Sequence, residues 1–149
     1  MPLSRYPTWI LVADSRTARV LVLDAPGARL VVAEELHAAV PGHAHDLKSS
    51  APGRAFSSAG SAARHAMEPR TDPLVHEKHE FARRIARLVD EGARQRRFRR
   101  LVVVAPPKML GDLRAEMGNA AAKLVTVEVP HDYVGMPATE LPARLAGVL

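Results

Sequence analysis

The chain has 149 residues, enough for one domain with a substantial core, and 47% of them are hydrophobic, which excludes wholesale disorder. Cysteine is absent, so disulfide frameworks, cysteine-ligated zinc sites and cysteine nucleophiles are excluded together. The formal net charge is +5, and the apolar run at residues 9–13 is too short for a membrane span or a signal-peptide core. We therefore expect a single cytoplasmic domain over residues 1–149.

The first third of the chain holds three short runs that are rich in β-branched and aliphatic residues. Residues 8–14 and 18–24 are separated by a three-residue turn, a spacing typical of a β-hairpin. A Pro-Gly pair marks the next turn, and residues 30–36 form the third run. The pattern predicts a three-stranded antiparallel meander.

The next regular element is an amphipathic helix. Asp72 is a suitable N-cap and Pro73 suits the first turn of a helix. The Glu91-Gly92 pair marks its end or nearly so. Its apolar residues recur at the spacing of one helical face, at Phe81, Ile85, Leu88 and Val89.

Strand and helix patterns alternate over the rest of the chain. Residues 101–105 are continuously apolar, which indicates a strand covered on both faces as in a parallel sheet. A Pro-Pro pair starts a second helix, and a Gly-Asn pair is its expected stop, with extension through the following alanines as the alternative. Residues 124–129 give a fifth strand. A last short helix lies within residues 136–149, with Thr139 as its expected cap.

The order of elements is therefore β-β-β-α-β-α-β-α. A meander followed by two right-handed crossover units predicts one α/β domain with a mixed five-stranded sheet and helices on its faces. This is the ribonuclease-H-like architecture. A long loop at about residues 37–72 separates strand 3 from helix 1. Long irregular segments inside domains are usually functional or disordered, and we interpret this one as functional.

A run of arginines, RQRRFRR, lies between the first helix and the fourth strand. Such a cluster favours phosphate backbones or another acidic surface. The alternative is that arginines at a helix C-terminus complement the helix dipole and keep that end soluble. The candidate binding residues in this run are Arg94, Arg96, Arg97, Arg99 and Arg100.

Support for catalysis or metal binding is weak. Ribonuclease-H-like nucleases hold two metal ions between carboxylates, one of them at the end of the first strand, where this chain has Asp14. The fourth strand ends without a carboxylate, and Asp14 fits better as the cap of the hairpin turn.

Four histidines and two glutamates also lack the ligand spacing of a zinc site, and no nucleotide-binding or nucleophile-elbow motif occurs. We predict no catalytic residue, no metal and no cofactor. The acids and histidines considered are Glu77, Glu80, His43, His45, His76 and His79.

Three stretches together resemble the bacterial host-attachment protein family, whose members are required for attachment to host cells. They read ILVADSRTARVLVLD, PGRAFSSAGSAARHAMEPRTDPLVHEKHEFARRIARLV and LVVVAPPKMLGDLRAEM. The most specific parts are Gly53-Arg54-x-Phe56, the segment from Gly60 to His65, and the block at residues 105–114.

The same family is distantly similar to the central, ribonuclease-H-like domain of archaeal and eukaryotic peptide release factors. There, the long loop carries Gly-Gly-Gln, whereas residues 58–64 read SAGSAAR here and the chain's only glutamine is Gln95. The resemblance thus implies the shape of a release-factor domain without its ester hydrolysis. The loop residues that it offers for binding are Arg54, Phe56, Gly60, Ser61, Arg64, His65 and Arg70.

Three functions remain open from the sequence. The first is a noncatalytic RNA- or ribosome-associated module. The second is an attachment or protein-interaction factor, and the third is a metal-dependent nuclease or other hydrolase. The expected partner is accordingly RNA, the ribosome or another protein, without a membrane span.

Overall fold

A computed structural model describes residues 7–25, 27–39 and 73–149 of the chain. Five strands in these ranges form one sheet in the order β3-β2-β1-β4-β5. The strands are β1 (Thr8–Ala13), β2 (Thr17–Leu23), β3 (Val31–His37), β4 (Arg100–Val104) and β5 (Val125–Val129).

The pairing of these strands confirms the predicted mixed sheet. β1 with β2, and β2 with β3, pair antiparallel, which gives the predicted meander. β1 with β4, and β4 with β5, pair parallel, as two crossover units require. The sheet is the mixed, five-stranded α/β arrangement of ribonuclease-H-like folds.

Four helices accompany the sheet within the described ranges. None of them is long and apolar enough to cross a membrane. The long first helix begins at the predicted proline and extends two residues beyond Gly92. The helices are α1 (Pro73–Arg94), α2 (Pro107–Glu116), α3 (Asn119–Ala122) and α4 (Leu141–Arg144).

Two details differ from the sequence prediction. The chain stops α2 before Gly118, as predicted, and the alanines that follow form a separate short helix, α3, instead of extending α2. The N-cap of α4 is Glu140, so the prediction of Thr139 was wrong. A turn closed by the Glu140 N–H, which donates to the Pro137 carbonyl at 2.9 Å, precedes the helix and delays its start.

Apolar residues fill both faces of the sheet. α1, α2 and α3 cover one face, where Phe81, Ile85 and Val89 are buried as the helical spacing predicted. α4 and the segment at residues 133–138 cover the other face. Because helices lie on both faces, every residue of β1 is buried and β4 is buried after its first residue.

Candidate functional site

The chain leaves α1 through a tight turn built on Arg96. The Arg96 N–H donates to the Ala93 carbonyl at 3.0 Å, and the Arg97 N–H donates to the Gly92 carbonyl at 2.8 Å. This pair of bonds is the Schellman motif, in which glycine usually supplies a left-handed residue. Arg96 takes that conformation with φ 58°, although a side chain there costs about 1–2 kcal/mol. Non-glycine residues held in this way concentrate at functional sites.

The turn is anchored to the sheet by aromatic packing. The Trp9 and Phe98 rings have centroids 4.5 Å apart at an angle of 31°, and both side chains are buried. Gly92 lets α1 approach them, because a Cβ there would lie 2.7 Å from Trp9 Cη2. The Arg99 N–H also donates to the Pro7 carbonyl at 3.2 Å. Phe98 therefore holds the segment in place while the arginines around it are exposed.

A basic cavity of about 410 Å³ opens beside this turn. Four of its lining side chains are cations and the other four are apolar. None of the lining residues in the described part of the chain is acidic. The lining residues are Ala93, Arg94, Arg96, Phe98, Arg99, Ala120, Lys123 and Leu124.

The second wall of the basic cavity comes from α3 and the residues after it. Asp90 on α1 accepts a hydrogen bond from the Gly118 N–H at 2.8 Å and from the Ala121 N–H at 3.2 Å. A carboxylate is favourable at these unpaired N–H groups of a helix start. The bonds fix α3 against α1 and bring Lys123, the C-cap of α3, to the cavity.

The structure divides the predicted arginine run, which we call the arginine face: Arg94, Arg96, Arg97, Arg99 and Arg100. All five are exposed, and three of them line the basic cavity. Arg97 instead lies over the Trp9 ring, 5.2 Å from its centroid, and Arg100 is the first residue of β4. Arg94 has an ion pair with Glu91 at 3.7 Å.

Lys123 is the cation of the cavity that the sequence did not indicate. It follows a run of alanines and is far from the arginines in the chain. The only signal was a single lysine before a strand, which by itself indicates nothing. Lys123 reaches the cavity only in the folded protein, where the hydrogen bonds of Asp90 hold the start of α3 against α1.

A second cavity, of about 260 Å³, lies at the carboxyl ends of β1 and β4, where the nuclease hypothesis would need its carboxylates. Asp14 lies there, but its Oδ1 accepts hydrogen bonds from the Arg16 and Thr17 N–H groups, both at 2.7 Å. The prediction that Asp14 caps the hairpin turn is confirmed. The cavity is lined by Asp14, Ser15, Lys78, Pro106, Lys108, Met109, Asp112 and Asp132.

The metal-site alternative finds no support in the described ranges, where no three histidines or acids are grouped closely enough to hold an ion. Glu80 forms an ion pair with Arg83 at 3.0 Å. His76 is exposed and His79 is half-buried on the first turns of α1. The other candidate ligands, His43, His45 and the Glu77 side chain, lie outside the described residues.

Residues 9–145 match the family model described as "Protein required for attachment to host cells". The chain belongs to this family. An uncharacterised protein of Rickettsia prowazekii (strain Madrid E) is 35% identical over 69 residues, a match that covers 45% of this chain and 46% of that protein. The family assignment therefore agrees with the resemblance carried by the sequence motifs.

Two solved structures share the fold of this host-attachment family member. An archaeal translation termination factor matches with a TM-score of 0.56 at 15% identity, over 96% of this chain and 35% of its own. A second archaeal protein matches with a TM-score of 0.51 at 16% identity, over 93% of this chain and 33% of its own. The chain thus spans about a third of each structure, and identities this low show a common fold alone.

The loop candidates of the family member lie outside the described residues. The structure neither joins them to the basic cavity nor separates them from it. They are Arg54, Phe56, Gly60, Ser61, Arg64, His65 and Arg70.

Proposed function

We propose that this host-attachment family member is a noncatalytic RNA- or ribosome-associated module that contacts phosphate groups through the arginine face. The observation that carries the proposal is Arg96, an exposed cation in a left-handed turn beside three other cations. Its planar guanidinium can donate two parallel hydrogen bonds to phosphate, which lysine cannot do.

The contrast with other arginines supports this role. Arg83 pairs with Glu80 and Glu116, and Arg114 pairs with Glu128, whose carboxylate raises the pKa of Arg114. Within the described ranges, neither Arg96 nor Arg100 pairs with an acid. Their charge therefore remains available to an anionic partner.

The fold similarity gives separate support for an RNA-containing partner. The archaeal protein that matches with a TM-score of 0.56 is a translation termination factor. By analogy, this chain would present a basic surface to RNA without the Gly-Gly-Gln sequence. On this proposal, an effect on attachment to host cells is indirect and follows from the RNA-associated role.

The test is the salt dependence of RNA binding. Fluorescence anisotropy of a labelled single-stranded RNA should give a log–log slope that steepens by about 0.7 for each phosphate contact. Arg97→Gln with Arg100→Gln should make the slope shallower by about one to two units. Arg29→Gln with Arg144→Gln removes the same net charge from exposed positions elsewhere and should leave the slope unchanged.

Three results would count against the proposal. Wild-type protein that is not retained on RNA at low salt would exclude it. An equal change of slope in both double variants would mean that only net charge matters. Binding of polyglutamate as strongly as RNA would favour an acidic protein surface as the partner.

A further inference from the structure

We infer that the basic cavity binds the phosphomonoester of a nucleotide, supplied either by the 5′ end of an RNA or by a free mononucleotide. This inference rests on the proposed function and specifies which phosphate group the protein binds. It concerns the cavity itself, whereas the contacts proposed above also involve Arg97 and Arg100, which do not line it.

Charge favours a monoester over a passing phosphodiester backbone. A phosphomonoester carries about −1.5 to −2 charge near neutral pH, compared with one negative charge on a diester. Arg94, Arg96, Arg99 and Lys123 place four cationic residues around one partly enclosed space. Partial enclosure strengthens their field, because low-dielectric walls focus it.

Shape and lining favour a nucleotide over a bare inorganic anion. The cavity volume, about 410 Å³, falls within the range of about 300–1,000 Å³ that is typical of small-molecule sites. Ala93, Phe98, Ala120 and Leu124 provide apolar surface for a base or sugar. Because two walls partly enclose the site, a chain end or a free molecule fits it better than the middle of a strand.

Both walls are fixed before any ligand binds. The Schellman hydrogen bonds hold the Arg96 backbone, and Asp90 holds the start of α3. The same hydrogen bonds satisfy the Gly92 and Ala93 carbonyls at the end of α1. The arginine side chains therefore have fewer free backbone carbonyls to bind, and an anion meets less competition for the arginines.

Among the described residues, Glu91 pairs with a cation of the cavity and competes with the ligand. Glu91 lies 3.7 Å from Arg94, and both side chains are more than half exposed. Such an ion pair is weak, so a phosphate dianion can displace it. Glu91→Gln should therefore bind the nucleotide a few-fold more tightly, a gain that a purely structural role for Arg94 does not predict.

Calorimetric titration with adenosine 5′-monophosphate and with adenosine tests the site. The monophosphate should bind, and adenosine should bind at least about tenfold more weakly. Lys123→Gln should weaken monophosphate binding about tenfold, while Arg144→Gln on α4 should leave it unchanged. Thermal melting of each variant checks that it is folded. Equal binding of the two ligands, or no effect of Lys123→Gln, overturns the inference.

Short RNAs of one sequence, with a 5′-phosphate or a 5′-hydroxyl, distinguish the two sources. Tighter binding of the 5′-phosphate RNA than of the 5′-hydroxyl RNA assigns the site to RNA ends, and equal binding of the two RNAs together with binding of the free monophosphate assigns it to the free nucleotide. Salt-dependent RNA binding without monophosphate binding would overturn this inference and leave the proposed function intact. Monophosphate binding without RNA retention would support the cavity as a nucleotide-binding site and exclude the proposed function.

Discussion

Asp90 Oδ2 lies 2.8 Å from the backbone nitrogen of Gly118 and thereby joins the C-terminal part of α1 to the start of α3. The second oxygen of the same carboxylate accepts the Ala121 N–H at 3.2 Å. Asp90 is 9% exposed, so few water molecules can replace it as an acceptor. Together with the packing of Ala121 in the core, this side chain holds the two walls of the basic cavity in position.

Asp90→Asn should therefore destabilise the protein by about 1–3 kcal/mol, since the amide leaves one of two N–H groups without an acceptor. Urea denaturation measures the free energy of unfolding. Asp24→Asn, at an exposed position, is the matched control and should change it by less than about 0.5 kcal/mol. An equal effect of the two substitutions would mean that the Asp90 bonds do not stabilise α3.

Two helical glycines should respond to alanine with opposite signs. A Cβ at Gly92 would lie 2.7 Å from Trp9 Cη2 and 3.1 Å from Phe98 Cε1, so Gly92→Ala should overpack the core and cost about 1–3 kcal/mol. A Cβ at Gly111 on α2 would meet nothing within 4 Å, and Gly111→Ala should stabilise by about 0.5–1 kcal/mol. Calorimetric melting of both variants tests this, and stabilisation by Gly92→Ala would contradict the close packing of α1 on Trp9.

The elements of the fold were predictable because their signals are local. The apolar spacing of Phe81, Ile85 and Val89 fixes the buried face of α1, and the continuous apolar run of β4 indicates burial on both sides. Hydrophobic periodicity and turn residues are read from positions close together in the chain. For these elements, packing on the sheet requires the same pattern of buried residues.

The site was predictable only in part, because one of the four cations that line the cavity, and the position of Arg97 beside it, depend on tertiary contacts. The arginine run is visible in the sequence, but Arg97 turns to the Trp9 ring and Lys123 arrives through α3. Neither placement has a local signal. The role of Asp90 is equally hidden, since an acid near a helix end usually faces solvent.

Core packing of α1 gives a third prediction. Phe81→Ala and Ile85→Ala should each reduce the free energy of unfolding by about 2–5 kcal/mol, because both side chains are fully buried against the sheet. Arg87→Ala, exposed on the same helix, should change it little. Chemical denaturation measures the three variants, and changes near zero for the apolar pair would contradict the packing of α1 on the sheet.

The last prediction separates stability from binding at Arg96. Arg96→Gly removes a side chain from a left-handed residue, so it relieves about 1–2 kcal/mol of backbone cost. Part of this gain is offset by the greater freedom of glycine in the unfolded chain, about 0.4–1 kcal/mol. The free energy of unfolding should therefore stay constant or rise by up to about 1.6 kcal/mol. Affinity for RNA should nevertheless fall, because one cation of the basic cavity is lost.

Arg94→Gly is the matched control for this prediction, since it removes a cation from the same cavity but lies within α1. Glycine in a helix interior costs up to about 1 kcal/mol, and Arg94 is the last residue of α1, so this variant should lose some part of that stability as well as affinity. Denaturation and anisotropy on the two variants give the comparison. If Arg96→Gly lost as much stability as Arg94→Gly, the left-handed turn would impose no cost on Arg96. Its conformation would then no longer argue that the side chain is held there for binding.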